Sequence, residues 1–451
     1  MTIPAPNRPE LLTLIAEAGL HRQLGLFIGA GFSKGVLKYH HPIPAYDWPE
    51  LLQVICKDFS LNYDDYARPG TSYPDIASSI CEAYGRAQTP PLALDEAQLR
   101  FKEAAARHTT WYPSKEQRTH FGPILSHLNP TWMITTNYDL VIESLLVGRS
   151  ISVGPSKALP SGGDLIPVYH LHGMKYDPQS LVITREDYVS LFRPNEYRQA
   201  KLATAIKEST TVFLGYALGD INVLTAIDWS RNVYTDTAPV RPTEFILVLF
   251  SPHPAAQPYR NEHGILVVEM NDLSSFMTEI DDAWMGAQKA YADRRAKLEA
   301  ISKELDASPS AMVEKFVDDP AYRAQLLSIL KTFEVELISS FMTFFAACLD
   351  ATWERALPSG AFHAYDQQLT IILDLMVTFS FVNIPPALFE LLATSLEKLG
   401  SYIGRGSGQS WQANDTWISR KGSIPKDMVK ELRQLADQRW LTYTANLLQG
   451  L

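Results

Sequence analysis

Cysteine is scarce in this chain. Cys56, Cys81 and Cys348 are scattered over 451 residues, and no two stand in a Cys-x-x-Cys spacing. That excludes a zinc ribbon and a disulfide framework and fits a reducing cytoplasm. Long apolar runs are missing as well. The most apolar late stretches, 337–348 and 371–382, are too short to span a bilayer, and the second contains Asp374 and stops at Pro385-Pro386. Both read as buried helices, so no membrane association is expected. The opening Met1-Thr2-Ile3-Pro4-Ala5-Pro6 has no basic-then-apolar leader pattern. Positive charge is in deficit, with 40 Lys and Arg against 50 Asp and Glu and a net charge of −10. Broad electrostatic binding to nucleic acid is therefore not expected.

What is present is an ordinary globular composition, 46% hydrophobic and 20% charged, in a chain long enough for two or three domains. Apolar segments with strand character occur at 24–28, 132–135, 151–153, 167–171, 181–184, 210–214, 245–250 and 265–269, with helical patterns between several of them. That alternation predicts an α/β fold with a doubly wound, Rossmann-like parallel sheet over residues 1–285, with ligands at the carboxyl ends of the strands. A proline-broken helical insertion at about 60–117 is either a lid over those ends or a surface elaboration. From residue 286 the strand patterns stop. Residues 286–451 read as an all-α C-terminal domain without a clear repeat, suited to oligomerisation or partner binding, with a loop at 404–415.

Four strand ends carry polar or glycine residues that chemistry could use. Gly29-Ala30-Gly31-Phe32-Ser33 follows the first strand. Its lack of bulk lets a backbone turn sharply near a phosphate, and Ser33 is placed to cap the next helix. The spacing fits neither the six-residue dinucleotide fingerprint nor a P-loop. Thr135-Thr136-Asn137-Tyr138-Asp139 ends the second core strand, and Asn137 and Asp139 serve equally as ribose-binding groups or as turn and cap residues. In Tyr169-His170-Leu171-His172-Gly173, alternation puts both histidines on one face at a strand end, where a general base, a hydrogen-bonded core residue or a metal pair would fit. No carboxylate or cysteine completes a metal site. Gly215-Tyr216-Ala217-Leu218-Gly219-Asp220-Ile221-Asn222 bares a further strand end.

Taken in order, these four motifs resemble the sirtuin family, in particular its bacterial branch of anti-phage defence proteins, over roughly residues 15–285. The resemblance implies that Gly29, Ala30, Gly31 and Ser33 contact the diphosphate of NAD. It implies further that Asn137 and Asp139 face the nicotinamide ribose and carboxamide, and that His172 is the catalytic histidine. Gly215 and Tyr216 would lie beside the adenosine, and Asp220 and Asn222 fit the defence branch better than the deacylases. His170 falls outside the match. Asn137 and His172 are expected at solvent-facing strand ends.

The departures narrow the function. The four-cysteine zinc module of the deacylases cannot be built, so no zinc is expected, and Ile43-Pro44-Ala45-Tyr46-Asp47-Trp48 replaces their Gly-Ile-Pro-Asp-Phe-Arg loop. The resemblance then implies an NAD glycohydrolase that releases nicotinamide and ADP-ribose and depletes NAD in abortive infection, latent until activated. A homo-oligomer is expected, and the implied regulators are a HerA-type ATPase, a short Argonaute or a phage structural protein. The alternatives are an NAD-dependent protein deacylase and a non-catalytic nucleotide-sensing scaffold.

Overall fold

A computed structural model describes residues 4–38, 45–155, 157, 163–191, 197–216, 221–231, 243–307, 309–331, 339–356 and 362–449. The chain divides into two compact units, Met1–Lys289 and Ala290–Leu451, the division falling inside the helix Leu273–Ala307. No described helix is long and apolar enough to cross a membrane.

The first unit is built on one sheet. Its strands are β1 (Leu24–Ile28), β2 (Trp132–Thr135), β3 (Ser150–Val153), β4 (Ile166–His170), β5 (Thr210–Leu214), β6 (Phe245–Phe250), β7 (Tyr259–Arg260) and β8 (Leu266–Met270). Their spatial order is β3-β4-β2-β1-β5-β6-β8-β7, parallel except for the short edge strand β7. Every residue of β1 and β5 is buried, as expected of central strands covered on both faces. Leu26, Ile28, Val212 and Leu214 pack into one apolar layer with the helices Arg8–Leu20 and Lys115–Leu128 and the start of Leu273–Ala307. The alternate residues Phe27 and Phe213 pack into the opposite layer with Leu202, Ile206 and Ile227. From β1 the chain builds outward to one side, and from β5 to the other. The crevice between the carboxyl ends of β1 and β5 is thus the topological switch point.

The stretch 181–184, expected as a strand, is not one. Its amides are taken by loop and helix groups in place of a strand: Val182 N donates to His172 O (2.9 Å), and Ile183 N and Thr184 N donate to Asp187 in the first turn of the next helix. The insertion holds the helices Tyr73–Ala87 and Leu94–His108. Its core of Ile76, Ile80 and Phe101 also takes in Tyr138, Leu181 and Ile183, so it is packed against the strand ends rather than appended to the surface.

The second unit is helical around its own core. It contains a repeat that the residue pattern does not advertise. The 3₁₀ turns Phe381–Asn383 and Lys421–Ser423 are each followed by Ile-Pro and then by a helix, Pro386–Gly400 or Lys426–Arg439. Pro385 and Pro425 cap these helices with nearly identical backbone angles, φ −56 and −55. Leu388, Leu392 and Leu396 in one copy answer to Met428, Leu432 and Ala436 in the other, all buried. Conserved geometry over dissimilar side chains explains why the repeat escapes a reading of residues. The segment 404–415 is likewise a loop only as far as Ser410, which caps the helix Trp411–Arg420 through Ala413 N.

One backbone position supports the switch point. Gly215 has φ +80, and a Cβ there would lie 2.3 Å from Phe32 N and 2.8 Å from Gly29 O. Gly215→Ala is expected to destabilise the first unit by about 2 kcal/mol or more, from left-handed strain added to backbone overlap. Urea unfolding measures it, and a variant as stable as the parent would show that the turn yields freely.

Candidate active site

Gly29 is the N-cap of the helix Ala30–Leu37. Its N–H donates to Leu214 O (2.8 Å), and Gly31 N–H donates to Gly215 O (3.0 Å). The two glycine amides are therefore committed to β5, and the smallness of these residues serves the close approach of two backbones. The N–H of Ala30 finds no acceptor among the described residues. Ser33 does not cap the helix as expected. It lies within the helix, 1% exposed, and its hydroxyl turns toward the end of β2.

There it joins a buried chain of hydrogen bonds. Thr135 Oγ1 donates to Ile28 O (2.9 Å) and accepts from Asn137 N (3.0 Å). Asn137 Nδ2 donates to Gly29 O and Ser33 Oγ, both at 3.1 Å. Ser33 Oγ donates to the Asp139 carboxylate (3.0 Å), which also accepts Val141 N (2.9 Å). The amide oxygen of Asn137 is left without a partner among the described residues. Burial raises the Asp139 carboxyl to about 6, partly offset by Val141 N and Ser33.

The histidines have separate environments. β4 ends at His170, so the alternation expected to pair their faces does not extend to His172. His172 sits on the turn into Gly173, whose φ is +85 and where a Cβ would lie 2.3 Å from Ser180 O. Its Nδ1 is 3.5 Å from the Tyr188 hydroxyl, and its Nε2 is buried with no partner among the described residues. Burial lowers its pKa to about 4, so the ring is neutral at physiological pH. His170 Nε2 lies 2.7 Å from Glu143 Oε1 and its Nδ1 3.2 Å from Asn137 O. Burial opposes its charge, but the hydrogen bond and charge of Glu143 outweigh burial, and its pKa is raised. Neither Asn137 nor His172 faces solvent as expected, being 8% and 2% exposed. The insertion and the segment after Gly173 cover them.

Tyr216 ties three strand ends together. Its hydroxyl donates to Ile28 O (3.2 Å) and meets Thr136 Oγ1 at 2.8 Å, while its ring packs edge-on to Phe27. Asp220 lies outside the described residues. Asn222 falls on the helix Ile221–Arg231, with its side chain outside them.

Two cavities flank the glycine turn. One, of about 70 Å³, is lined by Ala30, Ser33, Asn137 and Asp139 and by Trp48 and Trp111. The other, of about 620 Å³, lies between the turn and the ends of β6 and β8, lined by Gly31, Lys34, Gly215, Tyr216, Asn271 and Asp272. The residue pattern singled out Trp48 only as part of the 43–48 loop, and it missed Trp111, Asn271 and Asp272. The last two directly follow β8, so the strand-end rule would have found them. No cluster of His, Cys, Asp and Glu suited to a metal occurs among the described residues.

A doubly wound sheet with a glycine turn after β1, Asn-x-Asp after β2 and a buried His-Gly after β4 defines a sirtuin-like Rossmann unit. Residues 131–268 match the SIR2-like domain family, a type of domain that uses NAD. The match starts beyond the glycine turn, which joins the domain through the pairing of β1 with β2 and β5. A stretch of 116 residues is 28% identical to Defense-associated sirtuin 2 of Bacillus subtilis, covering 24% of this chain and 12% of that protein. The chain is thus sirtuin-like, with its resemblance running to the defence branch.

The electrostatics of Asp139 give a stability test. The folded chain holds this proton more tightly than the unfolded chain, whose carboxyl titrates near 4, so stability falls as pH rises between the two values. Asp139→Asn removes that titration. From pH 5 to 7.5 the variant is expected to gain roughly 1.4 kcal/mol relative to wild type, measured by urea unfolding at each pH. A constant difference would show that the carboxyl titrates normally.

Proposed function

We propose that the chain is an NAD glycohydrolase, with Asn137 and His172 as its catalytic residues. One observation carries this reading: a neutral histidine with an unpartnered, buried Nε2 stands at the strand-end edge that also bears the free amide oxygen of Asn137. A buried polar atom without a partner is costly and points to a reacting group or ligand atom that completes it.

In the proposed reaction the bond between ribose C1′ and nicotinamide N1 breaks, and its electron pair neutralises the pyridinium. Water oxygen bonds to C1′, and the water proton passes to His172 Nε2. Because both Nδ2 hydrogens of Asn137 are spent, its remaining capacity is to accept from the water or a ribose hydroxyl through Oδ1. Asp139 acts by fixing Ser33 and hence Asn137. The larger cavity suits the adenosine half and the smaller the nicotinamide half, with the diphosphate across Ala30.

At about 70 Å³, the Asn137 side falls well below the roughly 300–1,000 Å³ of ordinary ligand sites. A latent enzyme that opens on activation accounts for this. The name of the related Defense-associated sirtuin 2 supports a role in defence, and NAD depletion is the means we propose for it. The helical unit is the proposed seat of regulation, through self-assembly or through a HerA-type ATPase, a short Argonaute or a phage structural protein.

Asn137→Ala and His172→Ala are each expected to abolish nicotinamide release by the activated protein while leaving the circular dichroism spectrum unchanged. Product chromatography checks this in the presence and absence of proteins encoded nearby. Wild-type rates in either folded variant would refute the assignment. Product that forms only with acetylated peptide, as acetyl-ADP-ribose, would mark a deacylase.

A further inference from the structure

Every polar group of Asn137 except Oδ1 is held. Thr135 Oγ1 takes its N–H, Gly29 O and Ser33 Oγ take its Nδ2 hydrogens, and His170 Nδ1 meets its carbonyl at 3.2 Å. The last of these comes from a strand that does not carry Asn137. Behind His170 stands Glu143, whose Oε1 receives both His170 Nε2 and Ser152 Oγ at 2.7 Å. A bonded path thus runs from β3 through Glu143 and β4 to Asn137, two residues beyond β2. Both ring nitrogens of His170 face acceptors, and a carbonyl oxygen cannot donate. Nδ1 must therefore carry a hydrogen to bond Asn137, and Nε2 faces a Glu143 oxygen as donor.

The arrangement is expensive as mere packing. His170 is fully buried, and the second Glu143 oxygen is buried without a partner. A buried ion pair of this kind adds little net stability compared with apolar residues of similar volume. We propose that His170 and Glu143 are positioning residues that fix the main chain of Asn137, so that its amide oxygen holds one orientation at the site. The carboxylate at Nε2 favours the doubly protonated ring, which carries a hydrogen on Nδ1 as well, and Nδ1–H pins the carbonyl. The inference rests on the NAD-cleaving reading of Asn137 for its consequence in catalysis, but not for the positioning itself.

Two substitutions separate positioning from space-filling. In His170→Gln the amide nitrogen takes the place of Nε2, keeping Glu143 and losing the bond to Asn137. In the double variant His170→Asn with Glu143→Gln the amide nitrogen takes the place of Nδ1, keeping the bond to Asn137 with no unpaired carboxylate. For the activated full-length protein, His170→Gln is expected to lower kcat about 10- to 100-fold, the size typical of a misplaced catalytic group, with KM for NAD nearly unchanged. It should also speed hydrogen exchange in residues 133–141 without NAD. The double variant should restore both kcat and protection. Wild-type kcat and protection in His170→Gln, or a double variant as impaired as His170→Gln, would overturn the proposal. If the wild-type protein never releases nicotinamide, the NAD-cleaving reading fails, and the exchange measurement alone decides the positioning.

Discussion

The close approach of two backbones at the switch point is the constraint on which the rest of the active-site edge depends. Gly29 N–H donates to Leu214 O (2.8 Å) and Gly31 N–H to Gly215 O (3.0 Å) across the ends of β1 and β5. That contact aims the helix Ala30–Leu37 so that Ser33 reaches Asp139 and Gly29 O receives Asn137. A side chain in the crevice would separate the strands and break this chain at its first link. The glycines are therefore primarily a packing requirement, and the free N–H of Ala30 is a consequence of how the turn folds over β5.

The titratable groups beside this contact are driven in different directions by their surroundings. Burial raises Asp139 and lowers His172, while Glu143 overrides burial at His170. Three groups within a short span of the β2 and β4 ends are thus shifted from their ordinary values, Asp139 and His170 upward and His172 downward. Such divergence is characteristic of sites that move protons, and it arises here from ordinary packing and one carboxylate.

The central strands and the polar residues at their ends were legible because full burial leaves long apolar runs and because such ends punctuate them. The direction in which those residues point was not. Ser33 was readable as a helix cap from its place after a glycine turn, yet Gly29 takes the cap and frees the serine for Asp139. The strand assigned to 181–184 failed since β propensity says nothing of whether a neighbouring strand is available. Histidine spacing suggested a shared face, but the strand ends at His170 and the next turn breaks the alternation. Glu143 gave no signal at all, since its partner is 27 residues away in sequence.

Tyr138 stands between Asn137 and Asp139, its ring in the core of the insertion and its hydroxyl donating to Val182 O at 2.9 Å. The backbone that presents the Asn137 amide is therefore also the anchor of an apolar cluster. Widening the narrow cavity by moving the insertion away would draw an aromatic ring from hydrocarbon toward water. The opening proposed above would have a calorimetric signature: a positive heat-capacity change and an enthalpy that grows with temperature. Activation would then be thermally tuned by the same contacts that hold the fold, and an activator that grips the open form would be doing so against hydrophobic burial.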